Sequence, residues 1–434
     1  MPTTKKPNAK NVYLVAGLRT PQLKSKFVPG PFSASDLAVA TGSQLLLKMP
    51  FAATAIEQVI IGCVIPAATE ANIAKQIATR LGCKEQTTAF TVQRNCASGM
   101  QAIDTAMNEI RYKKAHLILC GGTEAMSHAS LTWHPDWINW LATWQRSHFT
   151  QKLQLLTQFK PAFFRPVISL LKGLTDPLNG LSMGQTAELL ASQFLVSRTA
   201  MDDYALASHQ HLDKAQQADI FADEIITLFD QQGHSYNKDN GLKKGSSINN
   251  MAKLSPVFDK NYGQVTAANS AQISDGASLL FLASEQAVRK YKLQPLAKLI
   301  DCQWQSVRPE IMGIGAAHAI AALLAANDLS LSEIDYWEIN EAFAAQVIAC
   351  LKALKQADYC KNQLAAEQPL GEINPKQLNI DGGGISLGHP VGASGARIVL
   401  HLANILKRKK AQRGIASLCI GGGQGGALLL ECCR

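Results

Sequence analysis

The order of apolar and polar positions predicts a strand, a helix and a second strand in the first third of the chain. The run from Ala89 to Val92 is typical of a strand. Apolar residues then recur at helical spacing at Ile103, Ala106 and Ile110. A second strand-like run, Leu117 to Cys120, ends in two glycines. This alternation favours an α/β fold.

A similar order of elements recurs near the C-terminus. A glycine-rich stretch, Gly392 to Arg397, leads into a helical pattern that ends in the basic run Lys407 to Lys410, where positive charge suits the helix dipole. The next strand-like run, Ala416 to Cys419, opens into five glycines between residues 421 and 426. Because the paired features have similar spacing, the sequence predicts a weak internal repeat and two similar halves.

Two cysteines lie where such elements meet. Cys96 precedes the helical pattern of the first unit, where unpaired N–H groups and the helix dipole favour a thiolate and thus a nucleophile. Cys419 ends a strand beside a glycine-rich turn, which is where α/β proteins place active sites. For either residue the alternative is a buried, inert cysteine.

A histidine and an amide complete the candidate chemistry. His389 stands among the glycines of the stretch from Gly382 to Arg397, which let a substrate approach it closely. The alternative is a satisfied histidine in a glycine-rich turn. Asn340 and Glu341 follow a strand-like run that ends at Ile339. Glu341 either orients neighbouring groups or makes an ordinary polar contact.

Together these segments resemble the thiolase family. The similarity runs over nearly the whole chain, from Arg19-Thr20-Pro21 through the stretches at 183–188 and 263–277 to the C-terminal glycines. The resemblance implies an α/β fold of two similar five-stranded halves packed as a layered sandwich, with an added loop domain. It implies an N-terminal half at 1–285, a loop domain inserted at about 126–262, and a C-terminal half at 286–434.

The resemblance also implies a role for each site residue. Cys96 would carry the acyl group, His389 would take its proton, and Cys419 would act as acid and base. Asn340 would hold a water beside His389, and the N–H groups of Cys96 and Gly421 would bind a thioester oxygen. Substrate and coenzyme A would contact a further set, namely Met183, Ser270, Ala271 and Phe343. Coenzyme A enters as a substrate, and neither a cofactor nor a metal is expected.

The chain departs from the family at a few positions that bear on acyl-chain length. Ser182 stands where many short-chain members have histidine, and Ala271 stands where a coenzyme-contacting serine is usual. The loop domain resembles the extended form in β subunits of fatty-acid β-oxidation complexes, although those subunits often carry histidine in place of Asn340. The sequence therefore leaves the chain-length preference open.

A tryptophan stripe marks the loop domain. Trp133, Trp137, Trp140 and Trp144, four of the six tryptophans, fall on one face of a predicted helix and are followed by phenylalanines with basic neighbours. The stripe could pack internally or in a tetramer, bind a partner subunit of β-oxidation, or make peripheral membrane contact. Charges and prolines interrupt it too often for a membrane span.

Composition agrees with a folded enzyme. At 434 residues and 47% hydrophobic content the chain can build two cores, and its net charge of +9 would attract the phosphates of coenzyme A. No nucleic-acid-binding module accounts for that charge. The ten cysteines show no metal-ligand spacing, and the polar run from Thr3 to Lys10 has no apolar signal segment, so we expect a cytoplasmic protein.

Three functions fit the sequence. The first is acetyl-CoA C-acyltransferase, which cleaves 3-ketoacyl-CoA with coenzyme A in fatty-acid β-oxidation. The second is an acetyl-CoA C-acetyltransferase that forms acetoacetyl-CoA, and the third is a non-catalytic partner or scaffold subunit. A homodimer or tetramer is expected. Intact chemical motifs argue against the scaffold, and Cys419 argues against a ketoacyl synthase, where histidine or asparagine is expected at that position.

Overall fold

The computed structural model describes residues 10–26 and 28–433 and has the predicted α/β fold. The predicted strands at 89–92, 117–120 and 416–419 all form, as do the two helices that start near residues 98 and 391. The polar N-terminal residues 3–9, which support the expectation of a cytoplasmic protein, lie outside the described residues.

The strands include two long central ones that are buried throughout, β5 and β10. In chain order the strands are β1 (Val12–Arg19), β2 (Leu23–Lys24), β3 (Gln58–Gly62), β4 (Thr88–Val92), β5 (Leu117–Ala125), β6 (Leu131–Thr132), β7 (Val167–Ile168), β8 (Leu228–Phe229), β9 (Ser235–Tyr236), β10 (Ser274–Ser284), β11 (Ala297–Ser306), β12 (Tyr336–Ile339), β13 (Arg413–Ile420) and β14 (Gln424–Cys432).

The helices range from single turns to the 20 residues of α8. In chain order they are α1 (Ala34–Leu47), α2 (Ile73–Arg80), α3 (Ser98–Arg111), α4 (Pro135–Arg146), α5 (Phe149–Leu156), α6 (Ser169–Gly173), α7 (Met183–Gln193), α8 (Arg198–Gln217), α9 (Ile248–Ala252), α10 (Glu285–Tyr291), α11 (Gly315–Ala326), α12 (Ala344–Lys355), α13 (Ala357–Gln363), α14 (Gly384–Leu387) and α15 (Val391–Lys409).

The main strands join in one mixed sheet, in the order β12-β13-β14-β11-β1-β10-β5-β3-β4, with β2 beside β10. The first half contributes five strands to this path, as predicted, whereas the second half contributes four. The two halves share an edge because residues 12–14 of β1 pair with residues 297–299 of β11. The fold class is thus confirmed, with the two expected sheets linked by this short pairing.

Two helices, α3 and α15, fill the space between the two halves of the sheet. Their apolar faces share one core with strands from both halves, including Ile103 of α3, Leu400 of α15 and Leu418 of β13. Helices α1 and α2 cover the outer face of the first half, and α11 and α12 cover that of the second. The result is the layered α/β sandwich that the resemblance implies.

Glycines allow α3 and α15 to cross almost in contact. A side-chain carbon on Gly99 would lie 2.8 Å from the backbone nitrogen of Ala396, and one on Gly395 would lie 2.6 Å from that of Met100. Both distances are shorter than van der Waals contact, so larger residues would force the helices apart. The crossing brings together the helix starts that follow Cys96 and His389.

The tryptophan stripe turns inward along most of its length. Trp137 stacks on Trp140 with ring centroids 5.2 Å apart, and Trp140 stacks on Trp144 at 5.1 Å. Phe159 and Phe163 pack edge-on or tilted against Trp137. Most of the stripe therefore packs internally, the first of the alternatives given for it, and these rings form the small core of the loop domain.

Other apolar side chains of the loop domain face outward. Ile138 of α4 is 54% exposed, and Leu153 and Phe149 of α5 are 53% and 75% exposed. Trp133, which precedes α4, is also half exposed. One further apolar stretch, Pro309–Ala326, is long enough to cross a membrane, but it is mostly buried and forms a core helix.

A chain of buried charges ties the segment at 126–262, predicted as a loop domain, to both halves. Arg19 of β1 pairs with Glu224 at 2.8 Å and with Asp239 at 2.7 Å, both from the loop domain. Glu224 also contacts His401 of α15 at 3.0 Å, and the other ring nitrogen of His401 lies 3.2 Å from Asp381. Burial itself lowers the pKa of His401, but the carboxylates outweigh it and raise that pKa to about 10.

We expect His401→Gln to destabilise the protein most near pH 6. The folded-state pKa of about 10 exceeds the ordinary value of 6.5. The charged imidazolium therefore stabilises the fold fully below pH 6.5, and this stabilisation is lost as the pH rises through 10. Denaturant titrations should show a loss on the order of 3 kcal/mol at pH 6 that shrinks toward pH 10.

His234→Gln is the matched control, because His234 also contacts a carboxylate, Asp230, at 2.9 Å but is 71% exposed. Its effect on the free energy of unfolding should be small at every pH. A loss for His401→Gln that stays constant from pH 6 to pH 10 would show that the imidazolium charge is not what stabilises the fold.

Candidate active site

Cys96 lies in a tight turn between β4 and α3. Asn95 adopts a left-handed conformation with φ of 43°, which asparagine tolerates better than most residues. The Ser98 hydroxyl accepts a hydrogen bond from the Arg94 N–H at 2.9 Å and donates to the Asn95 carbonyl at 2.7 Å. These bonds hold the half-buried Cys96 two residues before Ser98, the first residue of the helix.

Burial dominates the electrostatics of Cys96. It raises the pKa of the thiol above its ordinary value, although the N–H groups of Gly421 and of Cys96 itself oppose the shift. The nearby Glu124 carboxylate raises the pKa further. The expectation that the helix start makes Cys96 a ready thiolate is therefore wrong, and the thiol needs a base to remove its proton.

His389 is the candidate for that base. Its Nδ1 lies 2.6 Å from the hydroxyl of Ser394, which itself donates to the Pro390 carbonyl at 2.9 Å. The hydroxyl therefore accepts the proton of Nδ1, and Nε2 keeps a free lone pair. Burial, with a smaller contribution from the charge of Arg397, lowers the pKa of His389 to about 4. The ring is thus neutral at pH 7.

Asn340 faces the free nitrogen of His389. Its amide nitrogen lies 3.5 Å from Nε2, which fits an N–H that points at a lone pair. The side chain is fully buried, and its Oδ1 has no hydrogen-bond partner within the described part of the chain. The Asn340 backbone N–H donates to Ser417 at 2.9 Å, which places Asn340 against β13, the strand that carries Cys419.

Cys419 and Gly421 close the site from the second half. Burial, followed by the proximity of Cys96, raises the pKa of the Cys419 thiol well above its ordinary value. Gly421 accepts a hydrogen bond from the Asn95 side chain at 2.7 Å, and its N–H points to the sulfur of Cys96. The two cysteines, which lie in different halves of the chain, therefore meet at one point.

The residues predicted to bind substrate gather beside these groups. Ser270 forms an antiparallel bridge with Phe343, and the Ala271 N–H donates to the Ala342 carbonyl at 2.9 Å. The Ser270 hydroxyl donates to Thr266 at 2.7 Å, so it is occupied within its own segment. The sulfur of Met183 lies 3.2 Å from where a side-chain carbon on Gly421 would stand.

Ser182, the residue found in place of histidine, has a structural task. Its hydroxyl accepts a hydrogen bond from the Gln185 N–H at 3.3 Å, and the Gln185 side chain accepts one from the Ser182 N–H at 2.9 Å. These reciprocal bonds cap the start of α7. They fix the position of Met183 next to the site.

The structure adds residues that the sequence did not single out. The Glu341 carboxylate accepts hydrogen bonds from the Tyr204 and Ser208 hydroxyls at 3.0 and 2.7 Å, and from the Asn379 amide at 3.0 Å. These contacts join Glu341 to α8 and to the segment that leads to α14. Tyr204 and Ser208 stand one turn apart on α8, which is the only hint of them in the sequence.

An aromatic residue was also missed. The ring of Phe258 packs against Gly184 and lies 6.0 Å from the ring of Phe343, edge to face. Within residues 10–26 and 28–433, no group of three or more His, Cys, Asp or Glu side chains is arranged to hold a metal ion.

Comparison with known proteins agrees with this geometry. The thiolase N-terminal domain matches residues 12–286, and the thiolase C-terminal domain matches residues 293–432. The mitochondrial trifunctional enzyme subunit beta of Rattus norvegicus is 34% identical over 432 residues, which cover 99% of this chain and 90% of that protein.

Solved structures give the same result. Human mitochondrial 3-ketoacyl-CoA thiolase in complex with CoA superimposes with a TM-score of 0.84 at 32% identity, covering 98% of this chain and 99% of that one. The acetyl-CoA acetyltransferase of Syntrophomonas wolfei gives a TM-score of 0.86 at 30% identity and covers 98% of this chain and 100% of that one. With both domains of the family matched and the two cysteines meeting at one site, the chain belongs to the thiolase family of acyltransferases.

Proposed function

We propose that this protein cleaves 3-ketoacyl-CoA with coenzyme A, giving acetyl-CoA and an acyl-CoA that is two carbons shorter. The observation that carries the proposal is the meeting of Cys96 with Cys419, beside the apolar cluster that contains Val391, which stands two residues after His389. A covalent acyl transfer needs these three tasks: a nucleophile, a base that activates it, and a second proton carrier.

In the first half-reaction, His389 Nε2 takes the proton of the Cys96 thiol, and the thiolate attacks the 3-keto carbon. The bond between C2 and C3 breaks, and Cys419 protonates the acetyl-CoA carbanion that leaves. The negative charge that develops on oxygen needs donors aimed at it in advance. The N–H groups of Cys96 and Gly421 supply one set, and His389 with a water held by Asn340 supplies the other.

In the second half-reaction, the Cys419 thiolate removes the proton of the coenzyme A thiol. The coenzyme thiolate attacks the acyl group on Cys96, and the shortened acyl-CoA leaves. Cys96 departs as a thiolate and recovers its proton from His389, which restores both residues to their starting states.

Two lysines favour an approach by the phosphates of coenzyme A. Burial lowers the pKa of the Lys243 side chain, and the nearby charge of Lys24 lowers it further, so the two lysines lie close together. The backbone N–H of Lys243 donates to Nδ1 of His209 at 3.5 Å. Gly241, in the same segment, lies directly over the carbonyls of Ser386 and Leu387 near His389. Two adjacent positive charges at this edge would steer an anionic substrate.

An apolar wall beside Cys96 supports a preference for acyl chains longer than acetyl. Met126, Leu170 and Val391 form a buried cluster there, against which Cys96 and Ile65 pack. Leu170 belongs to α6, so the insertion itself contributes to this wall. The runner-up is an acetyl-CoA C-acetyltransferase, supported by the similarity to the Syntrophomonas wolfei enzyme.

The first test is a substrate series. We expect coenzyme A-dependent loss of 3-ketoacyl-CoA absorbance to be faster with long chains, and kcat/KM to rise by about tenfold from four to twelve carbons, because each buried methylene adds apolar contact. Activity confined to acetoacetyl-CoA would favour the acetyltransferase. No activity on a substrate of any acyl-chain length would contradict the proposal and favour a non-catalytic scaffold subunit.

The two cysteines should fail at different steps. Cys96→Ala should abolish the acyl-enzyme, because no nucleophile remains. Cys419→Ala should still be acylated by an acyl-CoA but should lose about 1,000-fold or more in cleavage of the carbon–carbon bond, because no group protonates the carbanion. Intact-protein mass spectrometry and turnover rates distinguish the steps. Full turnover by Cys419→Ala would assign proton transfer elsewhere.

We also propose that the protein is a homodimer or tetramer and works with a β-oxidation partner subunit. Support for the partner comes from the trifunctional enzyme subunit beta, which is a subunit by name. Support for self-association comes from β4, an edge strand without Lys or Pro on which Phe90 is 37% exposed. Since Cys96 lies four residues after the end of β4, a second copy would lie next to the site.

We propose that the outward face of α4 and α5 makes peripheral contact with an anionic membrane. Between residues 131 and 172 there are five Lys and Arg residues and a single acidic residue, Asp136. Ile138, Leu153 and Phe149 supply the exposed apolar side chains among these charges. This combination suits an interfacial helix. A cytoplasmic location remains our proposal, although the rat relative is named as mitochondrial.

Vesicle flotation tests the membrane contact. With phosphatidylglycerol vesicles, changing Ile138 and Leu153 together to Asp should reduce the bound fraction about tenfold or more, because two apolar anchors become anions. Leu47→Asp, at a residue of α1 that is 79% exposed, is the control and should bind as the wild type does. Equal binding by all three proteins, or none by the wild type, would contradict the proposal.

A further inference from the structure

Glu124 is a buried carboxylate that the reaction above does not use. It lies at the end of β5, has no exposed surface, and has no basic side chain within hydrogen-bond reach in the described part of the chain. Instead it accepts backbone N–H bonds from Val64 and Ile65 at 2.9 Å each and from Gly392 at 3.0 Å. The Cys63 sulfur lies 3.6 Å away.

The three amides belong to two segments that border the active site. Val64 and Ile65 follow β3, and their side chains pack with Cys96 in the apolar cluster beside it. Gly392 stands in the first turn of α15, three residues after His389. A side-chain carbon on Gly392 would lie 2.7 Å from the Glu124 carboxylate, so the contact requires glycine at that position.

We propose that Glu124 is a positioning residue for acyl transfer, whose carboxylate ties the segment after β3 to the first turn of α15 and so holds the apolar wall and His389 against Cys96. The proposal rests on the proposed function. A carboxylate suits the task because it accepts hydrogen bonds only, whereas the NH2 group of an amide would face one of these N–H groups.

The charge of Glu124 also acts on Cys96. Burial raises the pKa of Glu124 to about 7, although the three amides oppose the shift, so the carboxylate is substantially ionised at neutral pH. Its negative charge raises the pKa of the Cys96 thiol. The titratable groups that face Glu124 are the thiols of Cys63 and Cys96. The neighbouring elements place uncharged groups beside it, namely Gly276 of β10 and the backbone amide of Gly392 of α15. Glu124 therefore positions the nucleophile while restraining its ionisation.

Two substitutions separate these effects. Glu124→Gln removes the charge and part of the hydrogen bonding, and Glu124→Asp keeps the charge but shortens the reach by one methylene. Two quantities are measured on the full chain: the rate at which a 3-ketoacyl-CoA acylates Cys96, and the pH midpoint of iodoacetamide alkylation, followed on the Cys96 peptide by mass spectrometry. A change in accessibility alters the alkylation rate at the plateau, whereas a change in charge moves the midpoint.

We expect both variants to acylate about tenfold or more slowly than the wild type, because the base and the wall are displaced. Only Glu124→Gln should lower the alkylation midpoint, by about half a pH unit or more. Acylation within twofold of the wild type in both variants, or a midpoint that moves equally in both, would overturn the proposal.

Glu70→Gln is the matched control. Glu70 is also a buried carboxylate that accepts backbone N–H bonds, from Ser35 at 2.8 Å and Ala67 at 3.2 Å, but it does not contact α15. The Glu70→Gln variant should leave both quantities close to those of the wild type. A change as large as that of Glu124→Gln would show that Glu124 only supports the fold in general. If the wild type forms no acyl-enzyme with any 3-ketoacyl-CoA, the proposed function fails, while the alkylation midpoints still decide whether Glu124 acts on Cys96.

Discussion

The close contact between the starts of α3 and α15 is the constraint on which the rest of the molecule depends. Gly99 and Gly395 leave no room for a side chain at the crossing, and a carbon on Gly122 would lie 1.9 Å from the Gly392 carbonyl. Helices that approach this closely bring their first turns together. Cys96 and His389 each stand just before one of these turns, so backbone packing determines their meeting before any side chain does.

Burial then decides how the groups at this meeting point behave. The same removal from water lowers the pKa of His389 to about 4 and raises those of both cysteines. The resting site is thus a neutral base beside neutral thiols, and charge forms only during reaction. Backbone N–H groups, such as that of Gly421, offer fixed dipoles at little reorganisation cost, which suits a dry site.

The loop domain is held to this centre by charge and by apolar contact. Arg19 and His401 reach its carboxylates from the two halves, and Glu341 binds hydroxyls of α8. Each of these groups is buried, so removing one partner leaves the charge of the other buried and unpaired. The insertion adds Leu170 to the wall beside Cys96 and exposes a basic, apolar face to its surroundings. The same segment of the chain therefore contributes both to the wall beside Cys96 and to the exposed surface.

The sequence by itself determined the local conformations. The patterns around Cys96, Asn340, His389 and Cys419 predict the strand ends and helix starts at which these residues lie, because periodicity and glycine placement act over a few neighbouring residues. Resemblance of these segments to a family supplied the layered fold and the roles.

Tertiary structure decided everything that depends on distant neighbours. Glu124 takes its partners 60 and 268 residues away, and no local pattern marks it. The helix start at Cys96 predicts a thiolate, but burial among residues of both halves overrides it. Likewise the tryptophan period predicts a single face, yet only the packing of Phe159 and Phe163 shows that this face turns inward. Burial and electrostatics sum over all surrounding atoms, and the chain order does not reveal which atoms those are.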